Sequence, residues 1–422
     1  MRITYLHQYF KTPTHAGGSR SYEMARRLVD WGHDVHMVTS DRTADPGRTG
    51  WHETLEAGIH VHWLPVRYAN DMGYGDRLKA FKKFALGAAR RAASLACDVV
   101  FATSTPLTVA LPAVYAARRQ KVPMVFEVRD LWPDLPIAVG ALRGRLAIYG
   151  ARQLERFAYR NAARIVALSP GMRDGVAEAG YPEDRIHVIP NSADLDLFNV
   201  SVDAGKAFRE RYDWLGHRPL IVYAGTIGRI NGVSYLARLA AAVKPHAPEV
   251  RFLVIGDGQE RRSVEELAMR LGVLGDNLHM LEQVAKSEMP AVMSAATIAT
   301  SLVIDLKELW ANSANKFFDA LASGTPVAIN HGGWQAEMLK ASDAGLVLDP
   351  QDIELSARRL IQALEDETWL ERAGRSALHL AQERFARDDL AKELERVLQL
   401  AVHRRGDKAR YWHRPTAHQH EC

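Results

Sequence analysis

The sequence predicts an α/β protein of two parallel-sheet domains, and three observations carry this. The chain has 422 residues, more than one ordinary hydrophobic core accommodates. Short apolar runs alternate with longer amphipathic stretches nearly throughout, the pattern of parallel strands joined by covering helices. Glycine-rich turns recur where a strand candidate gives way to a helix candidate, a place where backbone N–H groups can meet an anion.

In the first half the strand candidates are "ITYLH" (3–7), "VHMVT" (35–39), "IHVHW" (59–63), "VVFAT" (99–103), "MVFEV" (124–128), "RIVAL" (164–168) and "IHVIP" (186–190). The stretch "SYEMARRLVDWG" (21–32) reads as a helix stopped by Gly32. The uncharged run Val99 to Ala117 approaches the ~20 residues of a membrane span, but "TSTP" and Pro112 resolve it into strand, turn and helix. Thr105 is then the expected N-cap and Pro106 the first helical residue. At "VIPNSADLDLF" (188–198) a β-branched strand end runs into Pro190, Asn191, Ser192 and two aspartates, residues that bond their own backbone. A first domain over 1–198 ends there.

The second half repeats the style without repeating the sequence. A linker is expected in "DLDLFNVSVDAGKAF", followed by strands "LIVYAG" (220–225), "RFLVIG" (251–256), "LHMLE" (278–282), "TIATSL" (297–302), "PVAIN" (326–330) and "AGLVLD" (344–349). These give a second domain over 199–385. A C-terminal helix over 386–403, free to pack back on the first domain, includes the amphipathic "DDLAKELERVLQLAVH". The polar, histidine-bearing 404–422 is expected to be a disordered tail.

Composition is that of a soluble globular protein, 47% hydrophobic and 25% charged, with a formal net charge of +4 that gives no reason to expect nucleic acid. Cys97 and Cys422 offer neither a disulfide framework nor metal-ligand spacing, and "MRITYLHQYFK" lacks the apolar stretch of a secretory signal. A reducing cytoplasm is the expected location.

Chemistry concentrates in four segments. "YLHQYFKTPTHAGGSRSYEMA" places Gly17, Gly18 and Arg20 between a strand and a helix. "YAGTIGRINGVSYL" (223–236) does the same with Gly225, Gly228, Arg229 and Gly232, and "VIGDGQERRSVEELA" (254–268) with Gly256 and Gly258. Together they point to a diphosphate-containing ligand at the carboxyl ends of the strands. A dinucleotide fold is excluded, because no full G-x-G-x-x-G follows the first strand. In "SANKFFDALASGTPVAINHGG" (313–333), Ser313 and Asn315 can cap a helix that carries Lys316 and Asp319, and an Asp319 carboxylate could accept both hydroxyls of a ribose. Each segment alone also fits a plain turn or a solvated helical acid.

Between Arg77 and Cys97 there is no acid, while Arg77, Lys79, Lys82, Lys83, Arg90 and Arg91 are basic. Leu78, Phe81, Ala85, Ala88 and Ala92 fall at helical spacing. Such a helix either lies on anionic lipid or presents a solvated face over the core. "RGRLAIYGARQLERFAYR" (143–160) would extend a lipid-facing patch.

"RIHVIPNSADLDLF", "YAGTIGR", "FLVIGDG" and "FFDALASGTPVAIN", in this order and at these spacings, resemble the retaining glycosyltransferases of family 4. The resemblance runs to about residue 400. "GGSRSYEMARRL", "FEVRDLWPD" and "NSANKFFDALASG" narrow it to the WbuB-like transferases of O-antigen and capsule assembly. It implies the GT-B fold, two Rossmann-like domains facing each other across a cleft, with the nucleotide sugar on the second domain and the acceptor on the first.

Carried over by position, the resemblance makes Arg229 the arginine that holds the diphosphate. The lysine usual five residues later is Ser234 here, and Lys316 is the expected substitute. Asp319 matches the second acid of the family's E-x7-E motif, the ribose ligand; the first acid falls on Ala311, so Asn312, Ser313 and backbone amides would hold the sugar. Gly17, Gly18, Arg20, Gly228, Gly256, Gly258 and Asn315 complete the expected donor site. Arg129 and Asp130 stand where relatives carry a histidine near the anomeric carbon. Asp130 would orient the acceptor or take its proton, unless the two form a structural ion pair; Asn191 would join them on the acceptor side.

The implied reaction moves an N-acetylated or 6-deoxy hexose from a UDP-sugar to a polyprenyl-diphosphate-linked acceptor, in O-antigen, lipopolysaccharide or related polysaccharide biosynthesis. No metal or other cofactor is expected, and the protein should sit peripherally on an anionic membrane, at the inner face of the cytoplasmic membrane. A nucleotide-sugar 2-epimerase of the same fold and a non-catalytic nucleotide-sugar-binding subunit are the alternatives. Product analysis with UDP-sugars separates the three.

Overall fold

The computed structural model describes residues 1–13, 20–42, 47, 49–67, 72, 74–192 and 195–411, with side chains at all of these except 74, 77, 78 and 404–411. Fourteen strands form two sheets among the described residues. The first sheet holds β1 (Arg2–Leu6), β2 (Asp34–Asp41), β3 (His52–Glu56), β4 (Ile59–Pro65), β5 (Val99–Thr103), β6 (Met124–Val128), β7 (Arg164–Ala167) and β8 (Ile186–Val188), in the order β3-β4-β2-β1-β5-β6-β7-β8. The second holds β9 (Leu220–Ala224), β10 (Arg251–Ile255), β11 (Leu278–Leu281), β12 (Ile298–Ser301), β13 (Val327–Ile329) and β14 (Gly345–Val347), in the order β11-β10-β9-β12-β13-β14.

Apart from β3, every pairing is parallel. Strands covered by helices on both faces must be apolar at every position, not at alternate ones. The sequences VVFAT, MVFEV and LIVYA meet that requirement, and no residue of β5, β6 or β9 is exposed. In each sheet the chain reverses its direction of travel beside the central strand, β1 or β9, and so opens a crevice at the carboxyl ends there.

Every strand expected from the sequence is present, to within a residue or two at the ends. The sequence reading missed β3. Its segment HETLE lies antiparallel at the sheet edge and is largely exposed, so it has no apolar run to announce it. Its signal was the turn: Ala57 and Gly58 both have positive φ, 48° and 79°, as a two-residue hairpin requires.

Four further expectations are corrected. Thr105 does not cap a helix. A 3₁₀ turn over Leu107–Val109 leads into the helix Ala110–Gln120, and the Thr105 hydroxyl instead donates to Asp130 Oδ2 at 3.4 Å. The expected linker is mostly helical, Leu195–Phe198 and Val202–Glu210, because Phe198 and Phe208 are drawn into the core of the second domain. The domain boundary therefore falls before Leu195, not at 198. The last helix runs from Arg387 to Tyr411, past the expected end at 403, through a stretch of mostly charged helix-forming residues; 412–422 lie outside the described residues.

That last helix packs on the first sheet. Ala391, Leu394, Val397, Leu398 and Ala401 share a core with Ile3, Tyr5, Leu28 and Phe101. Arg27 Nε meets Asp388 Oδ1 at 2.5 Å and His33 Nε2 meets Glu395 Oε1 at 2.8 Å. The second domain is thus inserted into the first. No helix among the described residues is long and apolar enough to cross a membrane.

Candidate active site

A cavity of about 520 Å³ opens where the carboxyl ends of β9 and β10 face the start of the helix Asn315–Ala322. Lys316 and Asp319, three residues apart, lie on one side of that helix and both line the cavity. The Lys316 Nζ stands 5.0 Å above the centre of the Tyr223 ring and 3.3 Å from Asn231 Oδ1. Its aliphatic stem passes over Gly225, where an added Cβ would lie 3.1 Å from Lys316 Cε. Burial pushes the amine down to about 8, against the opposing pull of Asp319. His331, buried just beyond β13, has its imidazole lowered by burial, with the Lys316 charge acting in the same direction. Its Nδ1 donates to Gly332 O at 2.8 Å, and its Nε2 has no partner.

The glycine turns of β9 and β10 are held to each other. Gly225 N–H donates to Ile255 O and Ile227 N–H to Asp257 O, each at 2.9 Å. Gly256 and Gly258 have φ of +148° and +154°, and a Cβ on them would meet Gly225 O at 1.9 Å and Ile227 O at 2.4 Å. A neighbouring loop's backbone already requires glycine at both positions, and Gly256 also lines the cavity. Gly228 has an ordinary φ of −109° and begins the turn Arg229–Asn231. Arg229 is exposed and makes no ion pair with the described residues. Its neighbours Ile230 and Asn231 line the cavity, so Arg229 stands beside it without lining it.

The first domain and the crossings close the other side through Arg20, Ser192 and Arg387. The expected donor role of Arg20 meets a competing engagement. Its side chain is 3% exposed and binds Glu127 Oε1 through Nε and Nη2 at 3.0 and 2.9 Å, Pro190 O at 2.5 Å and Ile189 O at 3.0 Å. Burial pushes the Glu127 carboxyl up, but the Arg20 and Arg129 charges and the Thr103 hydroxyl together hold it below its ordinary value. Arg387 donates from Nη2 to Ser192 O at 2.5 Å.

The polar turn at 190–192 has a definite use. Asn191 N–H donates to Ser313 Oγ at 3.1 Å and Asn191 Nδ2 to Ser313 O at 2.5 Å, across the domain boundary. Ser313 is therefore no helix cap; the N-cap is Ala314, without a side-chain bond. Asn191 ties the domains together, and of its polar side-chain atoms only Oδ1 is unpartnered. Asn312 is likewise engaged: its Nδ2 donates to Leu309 O at 2.7 Å and its Oδ1 accepts from Ala314 N–H at 3.3 Å. At Ala311, where the resemblance would place an acid, the domains touch, with Ser169 Oγ donating to Ala311 O at 2.6 Å and Gly171 against the Ala311 methyl. Asn315 lines the cavity. Arg129 and Asp130 follow β6 and form no ion pair with each other. Burial raises the Asp130 carboxyl, partly offset by Arg129 and by Thr105. Gly17 and Gly18 lie outside the described residues.

The chain compares with known proteins along most of its length. Residues 16–192 match the "Glycosyl transferase 4-like domain" and residues 206–379 the "Glycosyl transferases group 1" family. The chain belongs to the GT4-type glycosyltransferases. The alpha-D-kanosaminyltransferase of Streptomyces kanamyceticus is 24% identical over 56% of this chain and 60% of its own length, so this transferase matches only three-fifths of that relative. The GDP-mannose-dependent alpha-(1-6)-phosphatidylinositol monomannoside mannosyltransferase of Mycobacterium tuberculosis is 24% identical over 74% of this chain and 76% of its own. The crystal structure of Anabaena HepE in complex with UDP and glucose superposes with a TM-score of 0.71 at 18% identity, over 94% of this transferase and 99% of that chain. That likeness is one of fold, the GT-B arrangement.

Sequence reasoning missed Arg387, Ser192, Asn231 and His331. Arg387 is the first residue of the returning helix, and nothing local in the sequence marks it. Asn231 had a signal in "RINGV", whose Asn-Gly pair makes the turn that faces Lys316.

Proposed function

We propose that this transferase moves a sugar, an N-acetylated or 6-deoxy hexose, from a UDP-sugar to a lipid-linked glycan with retention of anomeric configuration, in the assembly of a cell-surface polysaccharide. The observation that carries the reading is the pairing of Lys316 and Asp319 on one helix face, inside a cavity at the carboxyl ends of β9 and β10. Asp319 accepts from the ribose hydroxyls. Lys316 and Arg229 meet the diphosphate, whose negative charge grows as the sugar departs. In this reading side-chain cations take the place of a metal ion. The solved relative in complex with UDP and glucose supports the donor class, and the phosphatidylinositol monomannoside mannosyltransferase supports a lipid-linked acceptor.

The bond from the anomeric carbon to the diphosphate oxygen breaks, and an acceptor oxygen bonds to that carbon on the same face. The acceptor proton passes to Asp130. General-base assistance by a positioned carboxylate contributes about 10²–10⁴-fold.

The test is titration with UDP and with UDP-sugars, followed by product analysis. Asp319→Ala should weaken UDP binding about tenfold or more, the loss of about 1.5–3 kcal/mol of charged hydrogen bonding. Unchanged affinity in a folded variant would sink the assignment. A freed 2-epimer as product would make it an epimerase, and UDP-sugar binding without any product a binding subunit.

A further inference from the structure

We infer that Asp134, Arg152 and Glu155 are positioning residues for the loop that carries Asp130: the Arg152 guanidinium, fixed on the helix Arg145–Asn161, is shared between a carboxylate on that loop and a carboxylate buried behind it. The catalytic meaning of this tie rests on the proposed role of Asp130; the contacts themselves do not.

After β6 the chain passes Arg129 and Asp130 and enters a run of hydrogen-bonded turns. Leu135 N–H donates to Leu131 O at 2.9 Å, Ile137 N–H to Pro133 O at 3.1 Å and Val139 N–H to Leu135 O at 3.0 Å. This run moves as one piece, with Asp130 just before it and Asp134 opening its short helix Asp134–Ala138. Arg152 Nη2 meets Asp134 Oδ1 at 2.5 Å, and Arg152 Nη1 lies 3.7 Å from Glu155 Oε2. Asp134 is half-buried, whereas Glu155 is 2% exposed. The helix that carries Arg152 is a firm platform. Ala158 and Tyr159 belong to the first-domain core, and the Tyr159 ring centre is 6.3 Å from that of Phe126 on β6. The helix Asp134–Ala138 also lies beside the turn Lys307–Leu309 of the second domain, two residues before Ala311, where the domains touch. Holding Asp134 therefore fixes both Asp130 and a contact with the donor domain.

Two carboxylates compete for one guanidinium, and burial sets the terms. A carboxylate out of water is costly. Burial pushes the Glu155 carboxyl up to about 7 and the Asp134 charge adds to this, against Arg152, the Tyr159 hydroxyl and Arg156. The Tyr159 phenol is itself raised, by burial and then by Glu155. The other elements packed on this helix bring little charge to the site. The turn Leu107–Val109 carries none, and Glu127 of β6 faces Arg20 on the opposite side of the sheet from Phe126. On the helix Ala110–Gln120, Arg119 is exposed and Arg118 donates to Asn161 Oδ1 at 2.7 Å, beyond the last turn from Glu155. While Glu155 holds its proton, Arg152 stays with Asp134. Once Glu155 ionises it repels Asp134 and draws Arg152 inward, and the loop loses its tie. A carboxyl raised in the folded chain gives its full stabilisation below the ordinary glutamate value of ~4.3, and has lost it once pH passes ~7.

The test is hydrogen–deuterium exchange of the full chain, read by mass spectrometry on peptides covering Leu131–Val139, from about pH 5.5 to about pH 8.5 and corrected for intrinsic exchange. In the wild type, protection should fall by up to about tenfold per unit as pH rises to ~7 and level off above it. Glu155→Gln keeps the shape of the protonated acid and should hold the acidic level of protection throughout. Asp134→Asn, changed at a half-buried position, should be poorly protected at every pH. A wild type without pH dependence, or a Glu155→Gln variant that still shows the fall, overturns the tie. Catalysis is read on the same proteins with a UDP-sugar that gives product. At saturating donor, kcat should drop about tenfold or more as pH rises through ~7 in the wild type and lose that drop in Glu155→Gln. The same drop in the variant overturns the positioning role. Asp130→Asn separates the two readings. Turnover that survives this change, with loop exchange as expected, sinks the base assignment alone, and turnover that needs Asp130, with exchange indifferent to pH, sinks the tie alone.

Discussion

At the scale of single residues, Lys316 is an amine held close to losing its proton. Burial drives it down to about 8, so it is a cation at neutral pH and is neutralised within reach of ordinary buffers. If it meets the diphosphate, UDP affinity should be flat below pH ~8 and fall about tenfold per unit above it, as binding must then draw a proton onto the amine. Lys316→Arg, protonated at all these pH values, should flatten the curve whatever it does to its height. Calorimetry from about pH 7 to pH 10 decides this, and a wild-type affinity independent of pH over that range would exclude Lys316 from the phosphates. Lys316 and Asp319 were legible because their relation is local: two polar residues three apart on a helix that follows a strand. Arg387 and Ser192 were not legible, because they reach the cavity only when the chain returns to the first domain, almost two hundred residues after leaving it.

At the scale of elements, the glycine turns show what a sequence cannot distinguish. Glycine marks a close approach, and the approaching group is a ligand in one case and another backbone in the next. At Gly256 and Gly258 it is the β9 loop. Gly256→Ala should therefore destabilise the second domain by roughly 2–4 kcal/mol, lowering its melting temperature by several degrees with or without UDP. Gly228→Ala is the contrast. Its φ is ordinary and the nearest atom to an added Cβ is Asn231 Nδ2 at 3.3 Å, so its cost should stay within about 0.5 kcal/mol. Equal melting of the two variants would contradict the loop-on-loop account. The strands were legible for the opposite reason to β3. A strand buried on both faces has an apolar composition whatever its neighbours are, whereas HETLE owes its extended form to the turn at Ala57–Gly58 and to its partner β4.

At the scale of the molecule, the returning helix decides where one domain ends. Leu394 and Leu398 are fully buried in the core they share with residues of the first sheet, so Leu398→Ala should cost about 2–4 kcal/mol of first-domain stability. A protein ending at Phe385 should lose that domain's cooperative melting while its second domain still melts. An unchanged first transition in the shortened protein would show that the helix is an ornament. The amphipathic pattern of this helix was plain in the sequence, but its partner was not, since an apolar stripe does not say which of two sheets it covers. The same helix sets an order on synthesis. A ribosome releases β1 to β8 first, yet the last wall of their core lies beyond the whole second domain. At ~5–20 residues per second the intervening ~200 residues take roughly 10–40 s, during which Ile3, Tyr5 and Phe101 have no final cover. The first domain to be made is the last to be finished, and the nascent chain must keep that sheet from other company, chaperones included, until Leu398 arrives.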